Sequence, residues 1–340
     1  MSVVKKCFKL LQLRQHFDKW FAEREVIAYL KSWNPKLKQD WYGNLYLINP
    51  GTPLLNAHMD TVQSAQCVKN LKTLRLVKWI IRAKDTVIGW DDKCWIAIAM
   101  EIYEKLWDKV SLLFTRQEEV WAVGASNFVA NHANLLAECK YCLTLDRRNG
   151  GDIIWYNNQY CSIEFQTEIA RLTKEFGYKP TTWLLSDANK ISKVLNCVNL
   201  SVGYYQPHTK NEYIKCDELV NACEAVQYIV EHLEDDYPIY EAPKYWSVQI
   251  NSKYNQPSLY NYPLADDDDD EDDDGYSKRL KERWNQYRKE KEDKLNEYFT
   301  YLNWQIIVKK DIFLTDALDD SNRAELAEWT YNVLEVTDIF

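Results

Sequence analysis

Residues 54–62 read Leu54-Leu55-Asn56-Ala57-His58-Met59-Asp60-Thr61-Val62. A short, mostly apolar run ends on a histidine, and an aspartate follows two places later. In an open α/β sheet, ligands gather where parallel strands end. The stretch therefore reads as a buried strand that delivers His58 to a sheet edge, with Asp60 on the same side. That spacing lets one group bind a cation while the other orients the imidazole through its second nitrogen.

The same pattern recurs along the chain. Asp91 follows the strand-like Thr86-Val87-Ile88 and precedes a helix beginning near Lys93. On so tight a turn, its two oxygens can bridge two cations. Glu118-Glu119 follows Leu112-Leu113-Phe114-Thr115. Adjacent carboxylates point apart, so one can be a ligand while the other faces a water as general base. Asp146 ends the run from Cys142 to Leu145, and His208 follows Val202-Gly203-Tyr204-Tyr205-Gln206-Pro207, with Glu212 shortly before the next helix. Singly, each motif is more often a surface pair or a satisfied core residue. Together, two imidazoles and several carboxylates, all at strand ends, are the donor set of zinc chemistry. They predict a two-metal hydrolase. His16, His132 and His232 lie in helical patterns without such context.

Up to residue 240, hydrophobic strands alternate with helical patterns, the signature of an α/β layer fold. Strands are expected at 44–48, 54–58, 112–115, 142–146, 162–166 and 198–205. Helices are expected at 14–32, 93–107, 124–137, 168–176, 187–195 and 216–233. Residues 1–240 then form the catalytic domain, 241–275 an irregular and acidic linker, and 276–340 a charged, mostly helical C-terminal extension.

The 340 residues are 46% hydrophobic and 27% charged, an ordinary soluble composition. No apolar run approaches the ~20 residues of a membrane span, and Met1 to Lys9 does not read as a secretory signal. The nine cysteines are odd in number and scattered, so they read as reduced thiols and a cytoplasmic location is expected. Cys139 and Cys142 have the spacing of half a zinc knuckle, but two strand cysteines are the simpler reading. The net charge is −9, and Asp266 to Asp274 alone carries nine negative charges, leaving the remainder neutral. Such a block is a solvated spacer. Neither nucleic acid nor membrane is expected as a partner.

The runs LLNAHMDTV (54–62), IGWDDKCWIAIAMEIYE (88–104), LLFTRQEEVWAVGA (112–125), CLTLDRR (142–148), SDAN (186–189) and NLSVGYYQPHTKNEY (199–213) resemble the co-catalytic di-zinc peptidases, the superfamily of peptidase T and related aminopeptidases. The resemblance covers roughly residues 1–235. It implies a three-layer αβα fold with a central mixed, mostly parallel sheet, and two divalent ions, Zn²⁺ or else Co²⁺ or Mn²⁺. By that resemblance His58 and Asp146 hold one ion, Glu119 and His208 the other, and Asp91 bridges them. Asp60 orients His58, and Glu118 is the general base. A cis peptide after Asp91 is implied as well. Aspartate at 146 resembles the aminopeptidase and tripeptidase branch.

Two departures stand out. Many relatives carry an inserted lid or dimerisation domain, yet only 33 residues separate His58 from Asp91 and 40 separate Asp146 from Ser186. Neither gap holds a domain of the usual ~100 residues. A lid-mediated dimer is therefore not expected, and the oligomeric state stays open. An oxyanion donor must come from elsewhere, with Tyr204 or Tyr205 as candidates, although a structural role for them is simpler. The second departure is 14 tryptophans against 9 glycines, where average usage predicts about 24 glycines. Trp90, Trp95, Trp121, Trp79, Trp107, Trp155 and Trp183 stand where the family pattern has glycine or another small residue. This is the expectation for a gene in which UGA encodes glycine and is rendered here as tryptophan. The alternative is a divergent enzyme with genuine core aromatics.

The expected function is a metal-dependent exopeptidase, an aminopeptidase or di/tripeptidase, acting on short peptides. The alternatives are an N-acyl amino acid amidohydrolase using the same metals, and an inactive relative serving as a binding module.

Overall fold

A computed structural model describes residues 2–13, 22–62, 74–83, 87–154, 160–181, 186–233 and 237–238. The linker and extension expected after residue 240 lie outside the described residues, as do His16, Cys67, Trp155 and Trp183. In chain order the elements are α1 (Ser2–Leu11), α2 (Arg24–Trp33), β1 (Lys38–Gln39), β2 (Leu45–Leu47), β3 (Leu54–His58), β4 (Leu74–Val77), β5 (Ile80–Ala83), α3 (Lys93–Leu106), β6 (Ser111–Thr115), α4 (Val123–Leu136), β7 (Cys142–Arg147), β8 (Asp152–Ile154), α5 (Ile163–Thr173), β9 (Lys179–Thr181), α6 (Ala188–Ile191), β10 (Cys197–Ser201), β11 (Tyr204–Tyr205), β12 (Tyr213–Lys215) and α7 (Cys216–His232).

Eight strands form one sheet in the order β1-β2-β6-β3-β7-β10-β8-β9. The central four, β6-β3-β7-β10, run parallel, with His58 paired to Thr115 and Leu54 to Cys142. All five residues of β3 and of β6 are buried. Burial on both faces is what parallel strands with helical cover require. Helices α1, α3, α5 and α7 pack together in one layer, and α4 packs with α6 in another. The result is the expected αβα sandwich. Since the central strands point the same way, His58, the Glu118-Glu119 loop and Asp146 all emerge at one edge.

Several local expectations need correction. Residues 162–166 are not a strand: Ser162 caps α5, its hydroxyl oxygen accepting the Phe165 N–H at 3.3 Å. Alternating polarity mimicked a strand there, but Phe165, Ile169 and Leu172 are buried at helical spacing. The helix expected at 187–195 is the single turn α6. Residues 2–11, which carried no helix expectation, form α1, with Val3, Val4, Cys7, Phe8, Leu10 and Leu11 buried. Within 86–88, the described Val87 and Ile88 lie in no strand.

The strand expected at 198–205 is broken in two at Gly203, whose φ is +84°. A Cβ there would sit 2.6 Å from Glu218 Cβ. The glycine lets the chain leave the main sheet and enter a second, four-stranded antiparallel sheet, β11-β12-β5-β4. The eight described cysteines are all buried free thiols. Cys142 lies in β7, and Cys139 in the turn before it.

Candidate metal centre

Two groups of ligand-type side chains meet at the edge where the parallel strands end: His58, Asp91 and Asp146, and Asp91, Glu119 and His208. Within each group the donor atoms lie within 4.8 Å of one another. His58 Nε2 is 3.0 Å from Asp91 Oδ1 and 3.7 Å from Asp146 Oδ1. His208 Nε2 is 2.9 Å from Glu119 Oε1 and 3.5 Å from Asp91 Oδ2. The two oxygens of Asp91 thus face opposite groups.

Each side chain is held by its backbone surroundings. The Asp91–Asp92 peptide is cis, and Asp92 Oδ2 accepts the His58 N–H at 3.2 Å. Asp60 Oδ1 lies 3.3 Å from His58 Nδ1. The same carboxylate accepts the N–H groups of Glu118 at 3.0 Å and Glu119 at 3.2 Å. Behind that loop, Gly124 is the only residue type that fits, because a Cβ would sit 2.0 Å from the Arg116 carbonyl oxygen. Asp60 thus faces the imidazole with its carboxylate and with its backbone carbonyl oxygen, 3.1 Å from His58 Nδ1, and holds the amides of both glutamates.

Three further residues support the site. Buried Glu212 accepts the N–H groups of Ile88 and Gly89 through Oε2 and that of His208 through Oε1. One carboxylate thereby ties the segment before Asp91 to the turn carrying His208. Tyr204 donates its hydroxyl to Asp91 Oδ2 at 3.3 Å, while Tyr205 donates to Glu218. Both hydroxyls thus donate to carboxylates within the fold. Asp187, buried behind the site, accepts from the Thr115 hydroxyl and from Asn56. No local pattern marks these roles, because each depends on a partner brought in by the fold.

The electrostatics follow from crowding acids in a buried place. Burial, reinforced by the charge of Asp91, pushes the Asp146 carboxyl well up. Burial and then the charge of Asp146 do the same to Glu118. Burial also raises Glu119 and brings Asp187 to about 6. Against the lowering effect of burial, Asp91 and Glu119 raise His208 to about 10. Mutual repulsion among buried carboxylates around two imidazoles is relieved by bound cations. The mixed nitrogen and oxygen donors suit zinc, and the residues present fit two divalent ions sharing Asp91.

The described tryptophans at positions where a small residue is expected fall in two classes. Trp90 and Trp95 are fully buried, and their indole N–H groups find no acceptor. Trp79, Trp107 and Trp121 have φ of +63°, +48° and +71°, a left-handed conformation that bulky residues rarely adopt. Lys78-Trp79 forms the two-residue turn between β4 and β5, both with positive φ, and such turns favour glycine.

No family model matches the chain, and no curated protein matches it. The fold is nonetheless found in solved structures. Aminopeptidase PepT from Bacillus cereus superposes with a TM-score of 0.56 at 19% identity, over 69% of this chain and 98% of that one. A tripeptidase from Staphylococcus aureus gives 0.55 at 14% identity, over 68% and 97%. The TET1 peptidase of Pyrococcus horikoshii, which can assemble into a tetrahedron or a large octahedral shell, gives 0.53 at 16% identity, over 67% and 99%. At these identities the likeness is one of fold: the αβα architecture of the chain is shared with these solved peptidases.

Proposed function

We propose that this protein is a metal-dependent exopeptidase, an aminopeptidase or di/tripeptidase acting on short peptides. The observation that carries the reading is Asp91, whose two oxygens face two separate groups of histidine and carboxylate donors. His58 and Asp146 would hold one cation and Glu119 and His208 the other, with Asp91 shared. Two divalent ions held there supply Lewis acidity, polarising the scissile carbonyl and making water acidic enough to lose a proton near neutral pH.

The chain's own residues do the rest. Glu118, its amide fixed on Asp60, takes the proton from the attacking water and passes it to the leaving amine. A carboxyl whose proton affinity is raised by burial and by Asp146 suits that exchange. Asp60 keeps His58 in one orientation, and Tyr204 keeps Asp91 in place.

The test is zinc content together with release of leucine from Leu-p-nitroanilide and from tripeptides. Glu118→Gln should retain the metal and lose roughly 10²–10⁴-fold in kcat, the usual weight of a general base. Turnover of N-acetyl-leucine but not of peptides would move the reading to an amidohydrolase. Absence of both zinc and turnover would end it.

A further inference from the structure

Beside the metal centre the four-stranded sheet walls a concavity of about 560 Å³, lined by Arg75, Arg82, Gln206, Lys210, Glu212 and Tyr213 among others. It adjoins the centre directly. Glu212 lines it while accepting the His208 N–H, and Gln206 and Lys210 stand two positions to either side of His208. The volume suits one or two residues of a peptide.

Its charge is one-sided. Arg75 and Arg82 are directly opposite each other in the β4–β5 ladder, and like charges so placed repel. On the other flank Arg82 pairs with Tyr213 of β12 and lies over its ring, 4.9 Å from the centroid. Tyr213 in turn stacks on Tyr205, with centroids 4.9 Å apart and planes at 5°. This row holds the guanidinium over an aromatic face and leaves its N–H edge for an acceptor. Lys210 adds a third cation from the loop above. Among the described residues none of these three forms an ion pair with a carboxylate. Glu212, the acid lining the pocket, already receives three backbone N–H groups. Three cations around one concavity, none paired with a carboxylate among the described residues and two set opposite each other by strand pairing, form a receptor for an anion.

We propose that this pocket binds a carboxylate of the substrate, making the enzyme selective for peptides that carry one within reach of the metal centre. The proposal rests on the peptidase reading for the identity of the ligand. Two sources present the same chemistry: the free C-terminus of a di- or tripeptide, and an acidic side chain.

The test has a binding arm and a turnover arm, both on the zinc-loaded full chain. Calorimetric titration with Gly-Gly and with Gly-Gly-amide should show the acid binding roughly tenfold tighter, the scale of a charge-assisted contact at a partly exposed site. In Arg75→Gln/Arg82→Gln that preference should collapse toward one, with Arg75→Lys/Arg82→Lys restoring part of it. Lys210→Gln, on a loop outside the ladder, should weaken the preference even if the double variant fails to fold. In the turnover arm, kcat/KM is compared for Leu-Gly-Gly, Leu-Gly-Gly-amide and Leu-Glu-amide. A loss in the arginine variants confined to Leu-Gly-Gly assigns the pocket to the C-terminus, and one confined to Leu-Glu-amide assigns it to a side chain. Equal binding of acid and amide by the unmodified chain, or a preference that survives all three variants, overturns the proposal. An absence of turnover with acid-selective binding retained would sink the peptidase reading while leaving the pocket standing.

Discussion

Asp60 joins three parts of the candidate site, facing His58 Nδ1 and accepting the amides of Glu118 and Glu119. Asp60→Ala should therefore loosen a ligand, the base and a second ligand together. The expected loss is about 10–100-fold in metal affinity, the usual effect of removing a partner behind a ligand, measured by competition with a chromogenic chelator. Trp121 poses a different question at the same scale. It is 69% exposed with a φ of +71°, so its indole gains little from burial while its backbone is held in a conformation costly for any residue with a Cβ. Trp121→Gly should raise stability by about 1 kcal/mol, read as a higher Tm in thermal denaturation. If UGA is glycine in the native gene, tryptic peptides covering positions 90, 95 and 121 of the native protein carry glycine. Tryptophan in those peptides ends that idea and leaves genuine aromatics in a divergent enzyme.

Among the elements, α1 shows how a helix is fastened to the layer it covers. Its apolar face packs on α3, and Lys6 Nζ lies 2.6 Å from Glu101 Oε2, both side chains largely buried. Against the raising effect of burial, the ammonium holds the Glu101 carboxyl below its usual value of 4.5. A group whose pKa is depressed on folding stabilises above its unfolded value and loses that contribution as pH falls through the folded one. The Tm difference between the unmodified chain and Glu101→Gln should be full at pH 7 and shrink below about pH 4.5. The crossing between the sheets at Gly203 makes a sharper demand. Gly203→Ala places a methyl group 2.6 Å from Glu218 Cβ in left-handed backbone. It should cost at least about 2 kcal/mol in denaturant unfolding and weaken metal binding through the displaced His208 turn.

For the molecule as a whole, a cation at the candidate centre would compete with protons for one set of atoms. His208, raised to about 10, carries its proton at pH 7, and burial keeps protons on Asp146 and Glu119 to higher pH than usual. Ligation requires the deprotonated forms. Zinc binding at pH 7 should therefore release protons, seen as a calorimetric enthalpy that varies with the ionisation heat of the buffer, and affinity should fall as pH falls. Zinc at 100 times its Kd should stabilise the fold by about 2.7 kcal/mol, reversed by chelator. The positions of the central strands β3, β6, β7 and β10 and the candidate donors were legible in the chain because both rest on local chemistry: an apolar run ending on a histidine or acid is visible residue by residue. α1 and the β4–β5 hairpin were not, since the first turn of α1 carries no acidic residue and the hairpin turn holds Lys78-Trp79 where glycine would have marked it. His58, Asp91, Glu118, Glu119, Asp146 and His208 could thus be named from sequence as one set. Asp91 facing both groups, the clasp of Glu212 and the meeting of Arg75 with Arg82 arise from pairings between segments far apart in the chain, and such distances are set by packing, which no local pattern encodes.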